Sequence, residues 1–181
     1  GFAASPSQCI VPRMTSALID IRTATAEDAP ALAAVREEAW RATYQGLIPH
    51  ITLQKMIASH TPGWWEKLLS LGASVLLLDF DGQTQGYATY GRSRHGPAGY
   101  DGEIYELYLM PVYQGAGLGR QLFEESRRQL ARRNLHGLVV WSLRDNHQAC
   151  AFYEALGGKP GGTAIERLGG QKLERIAFLW P

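Results

Sequence analysis

Hydrophobic and polar positions alternate in short bursts along this chain, and each change of period marks an element. Leu18-Ile19-Asp20-Ile21-Arg22 alternates as a strand with one wet face. Thr25, with Asp28 three residues on, has the spacing of a helix-capping arrangement. The helix it opens sets Leu32, Val35, Ala39 and Trp40 on one face and ends near Gly46 and Pro49. A less regular helical region covers residues 51–71, interrupted at Pro62-Gly63. Residues 74–80 and 85–90 flank Asp81-Gly82 as a hairpin whose loop reads as longer than two residues. Residues 92–102 form a Gly/Pro-rich loop.

From Glu103 an alternating, aromatic-rich strand runs through Pro111 and Gln114 into glycines at 115, 117 and 119, then into a long charged amphipathic helix. That helix turns Leu118, Leu122, Phe123 and Leu130 inward and keeps Glu124 and Arg128 wet; Arg132 and Arg133 suit its negative end. A strand feeding a helix through a side-chain-free turn leaves the first N–H groups unpaired at the positive end of the helix dipole. That is a seat for phosphate. Leu138-Val139-Val140-Trp141 is an unbroken apolar run, the mark of a strand covered on both faces. Asp145 is placed to cap the next helix, with Gln148 at its third position and Ala149, Phe152 and Leu156 as its buried stripe; Gly157-Gly158 stops it. Two closing strands, residues 163–168 and 172–178, surround a Gly169-Gly170 turn. The element order predicts an α/β fold: a mixed, mostly antiparallel twisted sheet of about seven strands with helices on both faces.

The chain has 181 residues, 45% of them hydrophobic, enough for one compact domain over residues 17–181. Residues 1–16 are small, polar and without period, and Met14 stands among them; they read as an N-terminal extension or an expression scar rather than a signal peptide. Eighteen basic and 17 acidic residues leave a net charge of +1, which gives no global reason to expect nucleic acid or an anionic membrane as partner. No apolar run is long enough to span a bilayer. Two cysteines far apart favour a reducing, cytoplasmic setting. The five histidines show no ligand spacing, so no metal is expected.

Two blocks then point the same way. Gln114-Gly115-Ala116-Gly117-Leu118-Gly119 resembles the Gln/Arg-x-x-Gly-x-Gly/Ala signature of the GNAT superfamily of acyl-CoA-dependent N-acyltransferases. Asn146 to Gly157, with Ala149, Phe152, Tyr153 and Glu154 in place, resembles that family's second segment; the stretch from Trp40 to Pro49 resembles its early helical region. Gly158 departs from the pattern, where the family usually carries an aromatic. The glycine spacing is not that of a dinucleotide fold, whose turn also follows the first strand.

The resemblance implies an N-acetyltransferase that uses acetyl-CoA as co-substrate. Backbone N–H groups around Ala116, Gly117, Leu118, Gly119 and Arg120, with Gln114 and Gly115, would hold the diphosphate. Leu109, Met110 and Asn146 would meet the pantetheine arm between two splayed strands, and a backbone N–H near Leu109 would meet the oxyanion. Tyr153 would return a proton to the departing thiolate, since a phenol of pKa about 10 is close to a thiol of about 8.5. Asn146 could equally serve as a helix cap, and Tyr153 as a core aromatic. Glu103 and Glu106 are the candidate bases; three positions apart on a strand, they face opposite ways unless a bulge intervenes. Trp40 and Tyr44 are candidates for the acceptor pocket, whereas Trp64 and Trp65 read as core and cover. The acceptor is an amine of a small molecule or a peptide, and the family allows a homodimer. A non-catalytic acyl-CoA-binding regulatory module is the alternative: it would keep the glycine turn and need neither Tyr153 nor a base.

Overall fold

The structure, a computed structural model, describes residues 18–181, so the expectation for residues 1–16 lies outside the described residues. In chain order the elements are β1 (Ile19–Thr23), α1 (Ala29–Tyr44), α2 (His50–Ala58), α3 (Pro62–Ser70), β2 (Val75–Phe80), β3 (Gln83–Arg92), β4 (Gly102–Leu109), α4 (Leu118–Arg132), β5 (Leu138–Leu143), α5 (His147–Ala155), β6 (Lys159–Leu168) and β7 (Gln171–Trp180). The strands form one sheet in the order β1-β2-β3-β4-β5-β7-β6. Every neighbouring pair is antiparallel except β4 and β5. The mixed, mostly antiparallel sheet read from the sequence is the one that forms.

The run Val75-Leu76-Leu77-Leu78 shows why both faces need helices. Leu76 and Leu78 join a core with Ile104, Leu122, Phe123, Val140 and Phe178 under α4 and α5. Val75 and Leu77 point the other way and join Leu32, Val35, Trp65 and Tyr87 under α1 and α3. Each fully buried side chain of this size contributes roughly 1.5–3 kcal/mol, so neither face can be left bare. The four α1 positions read as buried are all buried, as are Leu118, Leu122, Phe123 and Leu130 of α4.

Several local expectations change. The β2–β3 loop is only two residues: Phe80 pairs with Gln83, and Asp81 (φ 51°) and Gly82 (φ 77°) both take the left-handed conformation of a tight hairpin turn. The loop looked longer because polar Gln83 and Thr84 open β3. Pro62 does not interrupt a helix; it starts α3, with Thr61 as cap accepting the Trp64 N–H at 3.1 Å. Asn146, not Asp145, caps α5, its side-chain oxygen accepting the Ala149 N–H at 3.2 Å. The buried residue of α5 is Tyr153, while Ala149, Phe152 and Leu156 are half-buried. At Gly158 a Cβ would come within 2.6 Å of Trp180, whose indole N–H donates to the Leu156 carbonyl at 3.0 Å. Trp180 fills the space the absent side chain leaves.

One clamp was not legible beforehand. Arg22 of β1 donates to Asp79 of β2 at 2.8 Å and, through both terminal nitrogens, to Asp28 at 2.9 and 2.7 Å. Asp28 in turn accepts the Thr25 N–H, so the clamp joins two strands to the start of α1. The Arg22 bonds hold the Asp28 carboxyl below the usual aspartate range.

The feature that positions the site is a parting of strands. β4 and β5 pair only through Gly102–Leu138 and Glu103–Val139. Beyond Glu103 they diverge, and among the described residues the edge of β4 facing β5 has no strand neighbour.

Candidate active site

The site sits where β4 ends. The Met110 N–H donates to the Gln85 carbonyl at 2.8 Å, so it points toward β3. Backbone direction alternates along a strand, so the Leu109 N–H and C=O are directed into the gap. The Leu109 carbonyl accepts from the Gln114 side chain at 3.1 Å, and Gln148 of α5 donates to Gln114 Oε1 at 2.9 Å. Gln114 therefore ties the strand end to α5 across the mouth of the gap. Gln148 was read only as a capping position, because nothing local to it signals a partner 34 residues away.

The turn that follows is built by glycine. Gly115 (φ 84°) and Gly117 (φ 78°) take left-handed conformations, and nothing lies within 4 Å of where a Cβ on either would stand. Gly117 opens α4. Among the described residues no side chain caps α4, and its first turn carries no acid. The N–H groups of Leu118, Gly119 and Arg120 thus meet open space at the positive end of the helix dipole. Gly119 has a different reason: a Cβ there would lie 3.2 Å from Phe152, so the bare position brings α4 against α5. The Arg120 side chain is exposed and lies 3.7 Å from Glu124, as a solvated helix residue would.

Asn146 sits in the cap of α5 beside the gap. Tyr153, two turns further on, is 6% exposed, with its ring among Phe123, Phe152, Phe178 and Trp180. Burial pushes its phenol well above the ordinary value. Among the described residues no hydrogen bond engages the hydroxyl.

On the α1 side, a bulge brings the carboxylates together. Thr89 pairs with Glu106 but Tyr90 pairs with Ile104, so Tyr105 is the extra residue. Ile104 and Leu107 consequently enter the same core cluster although three positions apart. Glu103 and Glu106 then share the opposite face, and Arg94 acts on both. Glu103 is nearly buried and accepts the Arg94 N–H at 3.2 Å. Desolvation raises the pKa of each carboxyl. For Glu106 the opposing influences are the Arg36 guanidinium and the Tyr87 and Thr89 hydroxyls.

Arg36 is the residue the sequence reading missed. Its side chain is 2% exposed, its guanidinium stacks 4.0 Å over the Trp40 ring, and it donates to the Met56 carbonyl at 3.2 Å. Among the described residues its Nε has no partner and no carboxylate pairs with it directly. A buried cation is costly unless something compensates it, and Glu106 is the carboxylate that feels its charge. Position 36 gave no signal because it reads as one more charge on an amphipathic helix.

Trp40 is 9% exposed and donates to the Tyr87 hydroxyl at 3.1 Å. Tyr44 is half-buried; its hydroxyl bonds that of Tyr108, and burial pushes its pKa up to about 12. Tyr108 follows Glu106 at the same-face spacing, a signal the pattern did carry. Trp65 is fully buried, as expected, whereas Trp64 is 38% exposed. Among the described residues no cluster of His, Cys, Asp and Glu could hold a metal, and no helix is long and apolar enough to cross a membrane.

The fold that sets this open helix N-terminus beside a gap between two parallel strands is shared with known proteins. The structure resembles the PaiA N-acetyltransferase of Thermoplasma acidophilum, solved in complex with coenzyme A, with a TM-score of 0.73 at 20% identity over 87% of this chain and 97% of that one. It also resembles the Salmonella typhimurium protein YncA, solved with its cofactor acetyl-CoA, with a TM-score of 0.65 at 24% identity over 90% and 93%. At those identities the likeness concerns the fold. In sequence, the chain is 29% identical over 164 residues to the uncharacterized N-acetyltransferase YuaI of Bacillus subtilis (strain 168), covering 91% of this chain and 94% of that protein. The sequence model of the acetyltransferase (GNAT) family matches residues 32–158, which carry α1, the parted strands, the glycine turn and Tyr153. The chain belongs to the acetyltransferase (GNAT) family.

Proposed function

We propose that this protein transfers an acetyl group from acetyl-CoA to a primary amine by direct attack within a ternary complex. The observation that carries the proposal is the parting of β4 and β5 in front of the uncapped N-terminus of α4. The gap takes the pantetheine arm, and the amides of Leu118, Gly119 and Arg120 take the diphosphate, with Gly115 and Gly117 leaving the close approach open. Asn146 keeps its cap and stands beside the arm.

The amine must lose a proton before attack, because an ammonium of pKa about 10 has no lone pair to offer. Position along β4 favours Glu106 over Glu103. At about 3.3 Å per residue, Glu106 lies about 10 Å from Leu109 and Glu103 about 20 Å. Glu106 is the base, acting directly or through one water, and its raised pKa brings it nearer to the amine's. Glu103 braces the Arg94 loop. The amine nitrogen bonds to the thioester carbon, and the Leu109 N–H receives the developing oxyanion. As the C–S bond breaks, its electron pair leaves with sulfur and Tyr153 gives the thiolate its proton. Tyr44 and Tyr108 border the acceptor side.

Thiol release from acetyl-CoA in the presence of an amine panel tests the reading. Tyr153→Phe should lower turnover by about 100-fold or more while CoA still raises the melting temperature. Unchanged turnover removes Tyr153 from the acid role. No stabilisation of the wild type by millimolar CoA removes the proposal itself.

A further inference from the structure

On the α1 side of the sheet, α1 and α3 cover β2 and β3, whereas the Trp141 and Arg175 positions of β5 and β7 lie on the same face beyond that cluster. Val140, Ile176, Phe178 and Trp180 point into the core under α4 and α5. Alternation therefore turns Trp141 of β5 and Arg175 of β7 to the acceptor side, in the register Trp141–Ala177 and Leu143–Arg175. Trp141 stands just past the point where β5 leaves β4.

These two residues have unmet hydrogen-bonding capacity. The Arg175 guanidinium lies 5.0 Å over the Trp141 ring. Arg175 Nε and Trp141 Nε1 are sealed from water, and among the described residues neither finds an acceptor. Buried donors are nearly always satisfied, so two orphans on neighbouring side chains ask what completes them. Glu166 pairs with Arg175 at 3.6 Å and offsets its charge, but at that distance it makes no hydrogen bond to Nε. The Arg175 side chain is 29% exposed and only its Nε is sealed, so its far end meets solvent on the α1 side of the sheet. Both groups are donors only, and one is permanently cationic. The sealed Nε and Nε1 lie out of a ligand's reach, but the open end of the guanidinium suits an oxygen acceptor carrying negative charge.

We propose that the acceptor is an amine that bears its own free carboxylate, an amino acid or short peptide, and that Arg175 on Trp141 is the residue that selects for that carboxylate. This rests on the acetyl transfer proposed above. The two ends of such a zwitterion find opposite charge on this face: the amine lies toward Glu106 and Glu103 on β4, the carboxylate toward Arg175 on β7. Arg175 is level with Leu143, four residues past the Glu103–Val139 pair, so with strands about 4.8 Å apart and about 3.3 Å per residue its backbone lies roughly 16 Å from that of Glu103, a span the two side chains shorten as they reach inward. A guanidinium suits the task because its planar fork matches a carboxylate, and its seat on an aromatic ring fixes its plane.

The test compares acetylation of a panel of L-amino acids and dipeptides, each as free acid and as carboxamide, by wild type, Arg175→Gln, Arg175→Lys and Trp141→Phe. CoA-induced stabilisation serves as the check that each variant is folded. The free acid should be preferred about tenfold or more in kcat/KM, as expected for a charged hydrogen-bonded contact. Arg175→Gln should collapse that ratio through the KM of the acid rather than through kcat. Arg175→Lys should restore part of it, and Trp141→Phe should lower it less. Equal use of acid and carboxamide, or a ratio unmoved in Arg175→Gln, overturns the inference. If CoA stabilises the protein and other amines are acetylated but no free acid is, the carboxylate reading falls while acetyl transfer stands. Absence of CoA stabilisation overturns both.

Discussion

Gly117 separates two reasons for a glycine that usually travel together. Its φ of 78° is left-handed, and the space where a Cβ would stand is open. Replacing it with alanine keeps every contact but puts an L-residue where its Cβ crowds the following carbonyl, at a cost of about 1–2 kcal/mol. For a domain of this size each kcal/mol is worth about 2–4 °C of melting temperature. Asparagine tolerates the left-handed region, so Gly117→Asn should lose much less stability than Gly117→Ala. CoA affinity should not follow that order. Either side chain places a Cβ over the amides of α4, so one charge-assisted backbone contact to the diphosphate is lengthened or lost. At about 1.5–3 kcal/mol that weakens CoA roughly 10- to 100-fold in both variants. Thermal unfolding without ligand and calorimetric titration with CoA measure the two quantities on the same samples. If Gly117→Ala binds CoA as tightly as the wild type, the diphosphate does not lie over this turn, and the reasoning from open amides fails. If affinity instead tracks stability through the two variants, the loss is general disorder of the turn rather than exclusion from it.

The carboxylates give a second contrast. Glu106→Gln should lower kcat/KM by about 100-fold or more and abolish its acidic limb, whereas Glu103→Gln should leave the limb in place. That limb should lie above the ordinary glutamate value of about 4.3, because burial raises the Glu106 pKa. The sign for stability is opposite. The folded state holds the Glu106 proton to higher pH than the unfolded chain, so its contribution falls as pH rises through that window, and Glu106→Gln should be neutral or stabilising at pH 7. Asp28 behaves conversely: its lowered pKa contributes stability present above about pH 3.9 and lost as pH falls below it. Arg22→Met, measured by urea unfolding at pH 7 and pH 3, should cost about 1–2 kcal/mol at the higher pH, given Arg22's partial exposure, and much less at the lower. Equal losses at both pH values would show that packing of the Arg22 stem, not the ion pairs, carries the clamp.

What the sequence disclosed and what it hid divide by range. The elements were legible because their signals are periodic: α1 and α4 bury the positions read as apolar faces, and Val75 to Leu78 run unbroken because both sheet faces are covered. The glycine turn was legible for the same reason, since Gly115 and Gly117 encode backbone conformation in the residue type itself. The errors fell where two neighbouring choices were equally allowed. Asp145 and Asn146 can both cap, and chain geometry selects Asn146. The stripe of α5 does pack on the core through Ala149, Phe152 and Leu156, but Tyr153 beside it is the residue buried deepest, because a nine-residue helix holds too few apolar positions to fix the centre of its face. The extra residue at Tyr105 was foreseen only as a condition. A bulge leaves no trace in alternation when the residues around it are aromatic and acidic on both faces.

The acceptor side was the least legible, and the reason is electrostatic. Arg36, Glu106, Tyr87, Tyr108 and Arg175 each look ordinary in the sequence: a charge on a helix, a charge on a strand, aromatics in a core. What distinguishes them is what each lacks or faces after folding. Among the described residues Arg36 has no direct counter-ion, Glu106 is desolvated beside it, and Arg175 Nε and Trp141 Nε1 lack acceptors. These are debts between strands and helices far apart in the chain, so they exist only once the sheet has formed. The seat proposed for the diphosphate, by contrast, is a property of the single segment that joins β4 to α4. A mutation can therefore redraw the acceptor cleft by changing one long-range partner while leaving the seat untouched. One chain can thus hold a fixed grip on the acyl donor and a separately adjustable choice of amine.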